Sequence, residues 1–305
     1  MPELPEVQTT VDGINQYVQG KTIADVWTDY ASNKRVGADT IKDPKYFLIF
    51  KNALIGTTIT HASRRAKNVL IHLSSGDTIL VHMKMTGHLL YGTFEAIKEK
   101  QKIIGWKGVS PLALTDSFNR FIHLTLNFTD GTTLALCDMR KFAKVTLIKK
   151  GEQDTSEHIS NIGPELLDKD FTYSLFVESL LKNKTGRIKT VLMKPHIIAG
   201  VGNIYSDEAL WYADIHPETP VRDISDMSMK LLFKAVKEVL RKGIDFGGDS
   251  MSDYRNILGE RGTFQGKHNA YRKTGSPCKK KGCTGVIQRK VVGGRSAHFC
   301  NVHQK

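Results

Sequence analysis

The sequence predicts an α+β protein with several domains: an antiparallel β-sandwich preceded by an N-terminal helix, a helical domain, and a C-terminal zinc-ribbon finger. Hydrophobic residues alternate with a period of two between about residues 46 and 148, and they recur every three or four positions after residue 151. Three cysteines and one histidine cluster near the end of the chain. We therefore place the domains at residues 1–150, 151–270 and 271–305.

The composition is that of a folded and strongly basic protein. Of the 305 residues, 40% are hydrophobic and 25% are charged, which allows a sizeable core and argues against a disordered chain. The 44 lysines and arginines exceed the 31 acidic residues by 13, and residues 271–305 contain nine of them and no acidic residue. A polyanion such as nucleic acid is therefore a better candidate partner than a small metabolite.

The first residues of the sequence do not have the pattern of a targeting signal, so none is expected. The first twenty residues contain three acidic residues and no lysine or arginine, and no window of the sequence approaches about 18 consecutive apolar residues. These features argue against a secretory signal and against a membrane span. We expect a cytoplasmic protein associated with the nucleoid.

The first domain is expected to begin with a helix at about residues 3–18, followed by half-buried antiparallel strands. Alternating runs such as Val69–Leu73 and Phe121–Phe128 are typical of strands with one buried face. Ser75–Asp77 and Asp130–Gly131 separate such runs and contain the residues that tight hairpins favour. The pattern fits a β-sandwich or a barrel, of which we expect the sandwich.

The second domain is expected to be helical, because apolar residues lie three and four positions apart in residues 171–181, 204–212 and 229–242. Residues 245–270 are polar, rich in glycine and long for a connection in a compact domain. Such a segment is usually a functional or mobile loop.

The C-terminal cysteines have the spacing of a metal site. Cys278, Cys283, Cys300 and His303 form two short pairs of sulfur and nitrogen ligands, as tetrahedral zinc requires. Because about 35 residues bury little apolar surface, the metal would supply most of the folding free energy. Four protein ligands leave zinc no open coordination position, so its role is expected to be structural.

Two other interpretations of these cysteines remain open, a disulfide and unrelated surface thiols. A reducing cytoplasm argues against the disulfide. Cys137 alternates within a predicted strand and is expected to be an inert core thiol.

The N-terminus combines a candidate nucleophile with two acidic residues. Removal of Met1 would expose the secondary amine of Pro2, and the positive end of the predicted helix would disfavour protonation of that amine. Glu3 and Glu6 could transfer protons beside it. A proline and acidic residues at a helix start also occur for purely structural reasons.

Several separated motifs resemble those of one family, the formamidopyrimidine-DNA glycosylases, which share their fold with endonuclease VIII. The resemblance covers almost the whole chain and implies an enzyme that excises oxidised purines from double-stranded DNA and holds one structural zinc ion. The motifs are Pro2–Val7, Arg64–Lys67, His82–Gly87, Asp138–Phe142, Gly200–Tyr205 and the C-terminal finger.

The resemblance also implies catalytic roles. Pro2 would attack C1′ of the damaged nucleotide and form a Schiff base, while Glu3 would protonate the sugar ring oxygen or otherwise assist ring opening. Successive β- and δ-eliminations would then cut the strand on both sides of the lesion, with Glu6 as a helper. Lys67 matches the family's lysine near the lesion and its flanking phosphate, although a solvated lysine at a strand start has the same appearance.

A base inside a duplex is out of reach, so the damaged nucleotide must be flipped out and the gap filled. The family uses a methionine, an arginine and a phenylalanine for this purpose, which match Met85, Arg140 and Phe142. From spacing alone, Met85 and Phe142 would be core residues of strands.

The second domain resembles a helix-two-turns-helix unit. Residues 200–205 lack the last glycine of a dinucleotide-binding loop and follow no predicted strand, so no nucleotide cofactor is expected. Asn203, at the start of a helix, would hold a DNA phosphate. Lys189 matches a lysine that the family places near the lesion, and Arg295 matches an arginine of the finger that grips phosphate.

Residues 247–266 resemble the segment with which formamidopyrimidine-DNA glycosylases cover a flipped purine and which endonuclease VIII generally lacks. They favour an oxidised purine as the substrate.

Two departures from the family are visible. The finger has three cysteines and a histidine in place of four cysteines, which bears on zinc geometry, and Asp249–Ser250 replaces a pair of small hydroxyl residues, which bears on base preference.

Three alternatives remain open. An enzyme similar to endonuclease VIII would act on oxidised pyrimidines, and a damage-binding protein would have lost catalysis, against which Pro2, Glu3 and Lys67 argue. A zinc-ribbon RNA-binding protein would explain the charge but not the N-terminus or the gap-filling residues. Contact with one duplex suits a monomer.

Overall fold

The computed structural model describes residues 1–30, 39–152, 155–251 and 253–305. The chain forms two compact units. The first unit consists of Met1–Ser160 and Phe246–Thr263, and the second consists of Asn161–Asp245 and Phe264–Lys305. Every helix among the described residues is too short or too polar to cross a membrane.

Helix α1 (Leu4–Tyr17) opens the first unit where the sequence predicts a helix. Glu3 caps it, and Pro5 lies in its first turn, where a backbone N–H has no helical partner to lose. Val7 and Ile14 lie two turns apart on the same face and are fully buried in the core. This burial fixes the position of the N-terminal turn against the sandwich.

Two antiparallel sheets form the predicted sandwich of the first unit. The strands are β1 (Ile23–Thr28), β2 (Ile59–Arg65), β3 (Asn68–Leu73), β4 (Thr78–His82), β5 (Gly87–Glu99), β6 (Lys102–Ser110), β7 (Ile122–Phe128), β8 (Thr133–Asp138) and β9 (Lys144–Ile148). One sheet has the order β1-β7-β8-β5-β6 and the other has the order β2-β3-β4-β9. Val69 and Ile79 of the second sheet share one hydrophobic core with Leu124 and Leu136 of the first. The prediction of a β-sandwich is therefore confirmed.

Helix α2 (Pro44–Leu54) lies where the run of strands was expected to begin. The expectation of strands from residue 46 is wrong for this stretch, and the alternating pattern starts only with β2. The physical reason is Asp43, whose carboxylate accepts hydrogen bonds from two backbone N–H groups of the first turn. Phe50 and Leu54, one turn apart, bury the inner face of the helix.

Helices and one hairpin form the regular structure of the second unit. They are α3 (Tyr173–Leu181), α4 (Ile188–Leu192), α5 (Asn203–Tyr212), α6 (Asp226–Asp245) and the antiparallel strands β10 (Ile287–Val292) and β11 (Arg295–Cys300). The helices expected at 171–181, 204–212 and 229–242 are present. The short helix α4 was not predicted, because five residues are too few for a periodic pattern.

Residues 246–263 fold against the sandwich. The C=O of Ile257 accepts a hydrogen bond from the N–H of Tyr91 at 2.6 Å. A Cβ on Gly13 of α1 would lie 2.4 Å from Cγ2 of Ile257, so only glycine permits this approach. By compactness this segment belongs to the first unit, whereas the division of the chain at residues 150 and 270 stays a prediction about function.

Candidate functional site

Pro2, Glu3 and Glu6 lie together at the start of α1, and all three are buried. Glu3 and Glu6 form a reciprocal capping box. The side chain of Glu3 accepts from the N–H of Glu6, and Oε2 of Glu6 accepts from the N–H of Glu3 at 2.7 Å. This arrangement holds both acidic side chains in the first turn, at the positive end of the helix dipole and next to Pro2.

Lys67 lies in the two-residue turn between β2 and β3, where Arg65 pairs with Asn68. The preceding residue, Ala66, has a φ of 53°, the left-handed conformation that such a tight hairpin requires. The side chain of Lys67 is half-buried. The hairpin therefore presents this lysine at one end of the smaller sheet.

His82, which sequence reasoning missed, lies near this lysine at the end of β4. Its burial and the charges of Lys84 and Lys67 lower the pKa of His82 to about 3, so the ring is neutral at pH 7. Nδ1 accepts from the N–H of Lys84 at 3.0 Å, which leaves the proton on Nε2. A neutral N–H donor close to two cations is suited to a phosphate oxygen. Its place at the head of the His82–Gly87 motif is the signal that could have found it.

Met85, Arg140 and Phe142 lie on two turns of the first unit, between β4 and β5 and between β8 and β9. Met85 is 39% exposed and Phe142 is 48% exposed, so neither is a core residue. The guanidinium of Arg140 lies over the ring of Phe142, 4.4 Å from its centroid. Exposed apolar side chains next to a cation form a surface that is suited to contact with a partner.

Asp138 holds these two turns together. Its carboxylate accepts from the hydroxyl of Thr86, the residue after Met85, and from the N–H of Ala143 at 2.8 Å. The hydroxyl of Tyr30 also donates to it, at 2.9 Å. Burial and the Asp138 charge raise the pKa of Tyr30, so that this hydroxyl remains a donor. Asp138 is the first residue of the motif Asp138–Phe142, but its role as a common support was not predicted.

Lys189, on α4, is fully buried in the second unit. Its ammonium forms a salt bridge with Asp207 of α5 and lies 3.4 Å from the C=O of Asn203. The second oxygen of Asp207 accepts from the N–H of His298 on β11 at 2.9 Å. One buried ion pair therefore connects α4, α5 and the finger hairpin. Lysine is rarely buried, so the sequence gives no sign of this placement.

Asn203 is the first residue of α5, after the N-cap residue Gly202. Gly200 has a φ of 88°, which favours glycine, and allows the chain to turn into the helix. The side-chain oxygen of Asn203 is buried and has no hydrogen-bond partner within the described part of the chain. A helix start that combines neighbouring glycines with a side-chain amide is suited to an anion.

Arg295 is exposed at the first position of β11. The preceding Gly293 and Gly294 form the hairpin turn, with φ angles of 57° and 76°. A Cβ on Gly293 would lie 2.3 Å from Cγ2 of Thr190 on α4. The turn therefore rests directly on α4, which fixes the point from which Arg295 extends.

The four expected ligands of the finger converge. The ligand atoms of Cys278, Cys283, Cys300 and His303 all lie within 4.8 Å of one another. Nε2 of His303 donates to the C=O of Trp211 at 3.2 Å, so Nδ1 carries the lone pair and lies 3.4 Å from Sγ of Cys278. The indole N–H of Trp211 donates to the same sulfur at 3.4 Å, as suits a thiolate. These residues fit a tetrahedral metal ion.

Cys137 lies apart from this cluster, in β8. Its burial raises the pKa of the thiol to about 12, and Sγ donates to the C=O of Phe118 at 3.2 Å. This agrees with an inert core thiol.

The segment expected to cover a flipped base, residues 247–266, begins beside α1. The N–H of Asp249 donates to Oε1 of Glu6 at 2.7 Å. Ser252, within this segment, lies outside the described residues. The structure thus brings the start of the segment next to the acidic pair at the N-terminus.

Comparison with known proteins agrees with this geometry. Residues 1–145 match the formamidopyrimidine-DNA glycosylase N-terminal domain, and residues 162–255 match the formamidopyrimidine-DNA glycosylase H2TH domain. The formamidopyrimidine-DNA glycosylase of Bacillus subtilis is 36% identical over 300 residues, which are 98% of this chain and 98% of that protein. The enzyme of Brevibacillus brevis is 35% identical over 305 residues, 100% of this chain and 99% of that protein.

Solved structures extend the likeness to the fold. The Lactococcus lactis Fpg in complex with DNA containing an abasic site has a TM-score of 0.82 and 32% identity, and each chain is fully covered. A mutant of that protein in complex with Fapy-dG containing DNA gives the same TM-score, identity and coverage. A match of this length sets aside the RNA-binding alternative, which explains the charge but not the N-terminus or the proposed gap-filling residues. The chain belongs to the formamidopyrimidine-DNA glycosylase family of base-excision repair enzymes.

Proposed function

We propose that this protein excises oxidised purines, 8-oxoguanine and formamidopyrimidines, from double-stranded DNA and then cleaves the resulting abasic site. The observation that carries the proposal is the position of Pro2 beside the reciprocal pair of Glu3 and Glu6 at the start of α1. Relatives bear the name of the glycosylase activity, and similar structures hold DNA with an abasic site or Fapy-dG.

The reaction begins with Pro2 as the N-terminal residue, after removal of Met1. Its secondary amine attacks C1′ and gives up its proton, the bond from C1′ to the base breaks, and the base leaves with the bonding electrons and takes up a proton. Glu3 donates a proton to the sugar ring oxygen, the ring opens, and C1′ forms a Schiff base with Pro2. β-Elimination then removes a proton from C2′ and breaks the bond from C3′ to its phosphate, and δ-elimination removes a proton from C4′ and breaks the bond from C5′ to its phosphate. Glu6 helps these steps by holding Glu3 in the capping box.

Lys67 and His82 are proposed to bind the phosphate next to the damaged nucleotide. Lys67 supplies a charge from the hairpin turn, and His82 supplies a neutral N–H donor. Together they would hold the strand at the point where the nucleotide leaves the stack.

Met85, Arg140 and Phe142 are proposed to fill the gap left by the flipped nucleotide. The exposed apolar side chains support the opened stack, and the guanidinium can pair with the orphaned base. The bond between Thr86 and Asp138 keeps the two turns in one arrangement.

Asn203 and Arg295 are proposed to grip DNA phosphates from the second unit. Asn203 acts at the start of α5, and Arg295 acts at the tip of the finger hairpin. Lys189 is fully buried and is proposed to act on this surface only indirectly, by supporting the C=O of Asn203 from the interior.

We propose zinc as the ion of the finger, with three thiolates and Nδ1 of His303 as ligands. The ion supplies folding free energy to a segment that buries little apolar surface. Four protein ligands complete a tetrahedral site, so the role is structural.

The segment at residues 247–266 supports an oxidised purine over an oxidised pyrimidine as the substrate, because its start lies beside the proposed catalytic residues. The protein is proposed to act as a monomer on one duplex, in the cytoplasm and at the nucleoid, where that substrate is found.

Borohydride trapping tests the proposal. Matched duplexes would carry 8-oxoguanine, an oxidised pyrimidine or no lesion, and the adduct would be mapped by mass spectrometry. An adduct at Pro2 with 8-oxoguanine is expected. Trapping with the oxidised pyrimidine alone would indicate an enzyme similar to endonuclease VIII. Binding without an adduct would indicate a damage-binding protein without catalytic activity.

The matched variant is Pro2→Gly. It is expected to lower the yield of the adduct at least about tenfold, because the activated secondary amine is lost, while DNA affinity changes little. Equal trapping by the variant would contradict the role of Pro2.

A further inference from the structure

The carboxylate of Glu6 connects two parts of the chain that are far apart in sequence. Oε2 accepts from the N–H of Glu3 and Oε1 accepts from the N–H of Asp249, both at 2.7 Å, and the second bond spans 243 residues. Glu6 is 1% exposed, so water does not compete for these bonds. Each oxygen therefore makes a charge-assisted hydrogen bond to a backbone N–H. One N–H lies in residues 2–6, which we call the catalytic turn, and the other lies in residues 247–266, which we call the covering segment.

A second bond joins the same two parts. The hydroxyl of Tyr254 donates to the backbone C=O of Glu6 at 3.0 Å, and Tyr254 is 4% exposed. The covering segment therefore contacts Glu6 at two positions, Asp249 and Tyr254.

The close approach depends on Gly248. Its φ is 84°, and a Cβ there would lie 2.9 Å from Cγ of Glu6 and 3.0 Å from Cε1 of Tyr254. A larger residue would force the segment away from α1 and lengthen the bond from Asp249. The sequence thus contains a glycine where the segment meets the acidic residue.

The segment is closed on itself behind these contacts. The hydroxyl of Ser250 donates to the C=O of Tyr254 and accepts from the N–H of Gly262, each at 2.8 Å. A displacement of Asp249 or Tyr254 is therefore transmitted to the whole base of the segment. The contacts of Glu6 set where this closed segment stands relative to Pro2 and Glu3.

We propose that Glu6 is a positioning residue that sets the covering segment over the catalytic turn, so that base excision depends on it more than strand cleavage does. A flipped purine must be covered before its bond to C1′ breaks, whereas an abasic site has no base to cover. The inference rests on the proposed function. It gives Glu6 a task distinct from proton transfer in the eliminations.

The test compares two reactions of the same enzyme preparation under single-turnover conditions: release of 8-oxoguanine and cleavage of a preformed abasic site. Glu6→Gln keeps one acceptor oxygen for the capping box, which accepts glutamine, but cannot also serve Asp249. Tyr254→Phe keeps the ring and every carboxylate and removes the second bond. We expect the ratio of release to cleavage to fall about tenfold in Glu6→Gln and about threefold in Tyr254→Phe.

Tyr17→Phe is the matched control. It removes a hydroxyl from the same helix, on a ring that stacks on Tyr91 with centroids 6.3 Å apart. Its ratio of release to cleavage should equal that of the unmodified enzyme. Because each ratio comes from one preparation, loss of folded protein cancels.

Two results would overturn the inference. Equal losses in both reactions would assign Glu6 to chemistry that the two reactions share, and an unchanged ratio would show that the contacts do not govern the covering of the base. Failure of the proposed function is distinguishable, because the unmodified enzyme would then fail to release 8-oxoguanine, whether or not it cleaved the abasic site.

Discussion

Thr86 donates its hydroxyl hydrogen to the carboxylate of Asp138, and this bond joins the turn that carries Met85 to the turn that carries Arg140 and Phe142. Thr86 is 6% exposed and Asp138 is fully buried, so the bond is sheltered from water. The three proposed gap-filling residues therefore share one support. Neither Thr86 nor Asp138 is itself proposed to contact DNA.

Thr86→Val should weaken this support without a change in volume. The variant removes the hydrogen bond to a buried carboxylate that keeps other donors and also removes the acceptor for the N–H of Arg140, so we expect the free energy of unfolding to fall by about 1–2 kcal/mol. Excision of 8-oxoguanine should slow as well, because the Met85 turn is no longer tied. Urea denaturation and single-turnover excision measure the two effects. Thr125→Val, at a buried threonine of β7, is the control, and unchanged excision in folded Thr86→Val would contradict the role of the bond.

Arg295→Ala should weaken DNA binding at every sequence and reduce its salt dependence. Loss of one phosphate contact releases fewer counterions, so the slope of log K against log salt should become shallower by about 1. Fluorescence anisotropy over a range of salt concentrations measures this slope. Arg222→Ala, at an exposed arginine that is paired with Asp223, is the matched loss of charge and should leave the slope unchanged. A slope that stays the same in Arg295→Ala would count against the finger as a DNA contact.

Because of His82, the free energy of unfolding should decrease as the pH is lowered. Burial and the nearby lysines lower the pKa of His82 from 6.5 to about 3, so below pH 6.5 the unfolded chain takes up a proton that the folded protein resists. The contribution of this group is complete above pH 6.5 and is lost progressively as the pH falls towards 3. At pH 5 the loss should be about 2 kcal/mol.

His82→Asn isolates this effect. The side-chain oxygen of asparagine can replace Nδ1 as the acceptor for the N–H of Lys84, but it does not titrate. Denaturation at pH 7 and at pH 5 should show a smaller loss of stability in the variant than in the unmodified protein. Equal losses would show that His82 is not the group responsible.

Zinc binding should depend on the identity of the four proposed finger ligands. Cys283→Ala should abolish zinc binding, whereas His303→Cys should retain one ion per chain, because four thiolates also fit a tetrahedral site. Metal analysis gives the content directly. The ring of Trp211 lies 5.6 Å from that of His303, so its fluorescence should change on chelation. Full zinc content in Cys283→Ala would contradict the proposed ligand set.

Patterns that depend on near neighbours were predictable from the sequence. The apolar runs of β3 and β7, the periodicity of α3, α5 and α6, and the spacing of the four finger ligands all follow from local geometry. The expectation that β3 has only one buried face is wrong, because nearly all of its residues are buried. The start of α1 was predictable for the same reason, since its proline and acidic residues lie within one turn.

Features that depend on distant partners were not predictable. Lys189 is buried because its ammonium pairs with Asp207, which also accepts from the N–H of His298. From sequence alone, a lysine is expected at the surface. Helix α2 was missed because its apolar residues were assigned to the alternating pattern that follows, although Asp43 marks a helix start. The role of Asp138 depends on Thr86, which lies on another strand connection.

The first unit is discontinuous along the chain, and this sets an order for its completion during synthesis. Residues 1–160 leave the ribosome before residues 246–263 exist, so the strands can pair while α1 still lacks its neighbours Asp249 and Ile257. Contacts of α1 with residues 246–263 can form only after those residues have been synthesised. A nascent chain that ends before residue 246 therefore lacks part of the proposed catalytic site. The proposed excision starts only after the helices proposed to grip DNA have been translated.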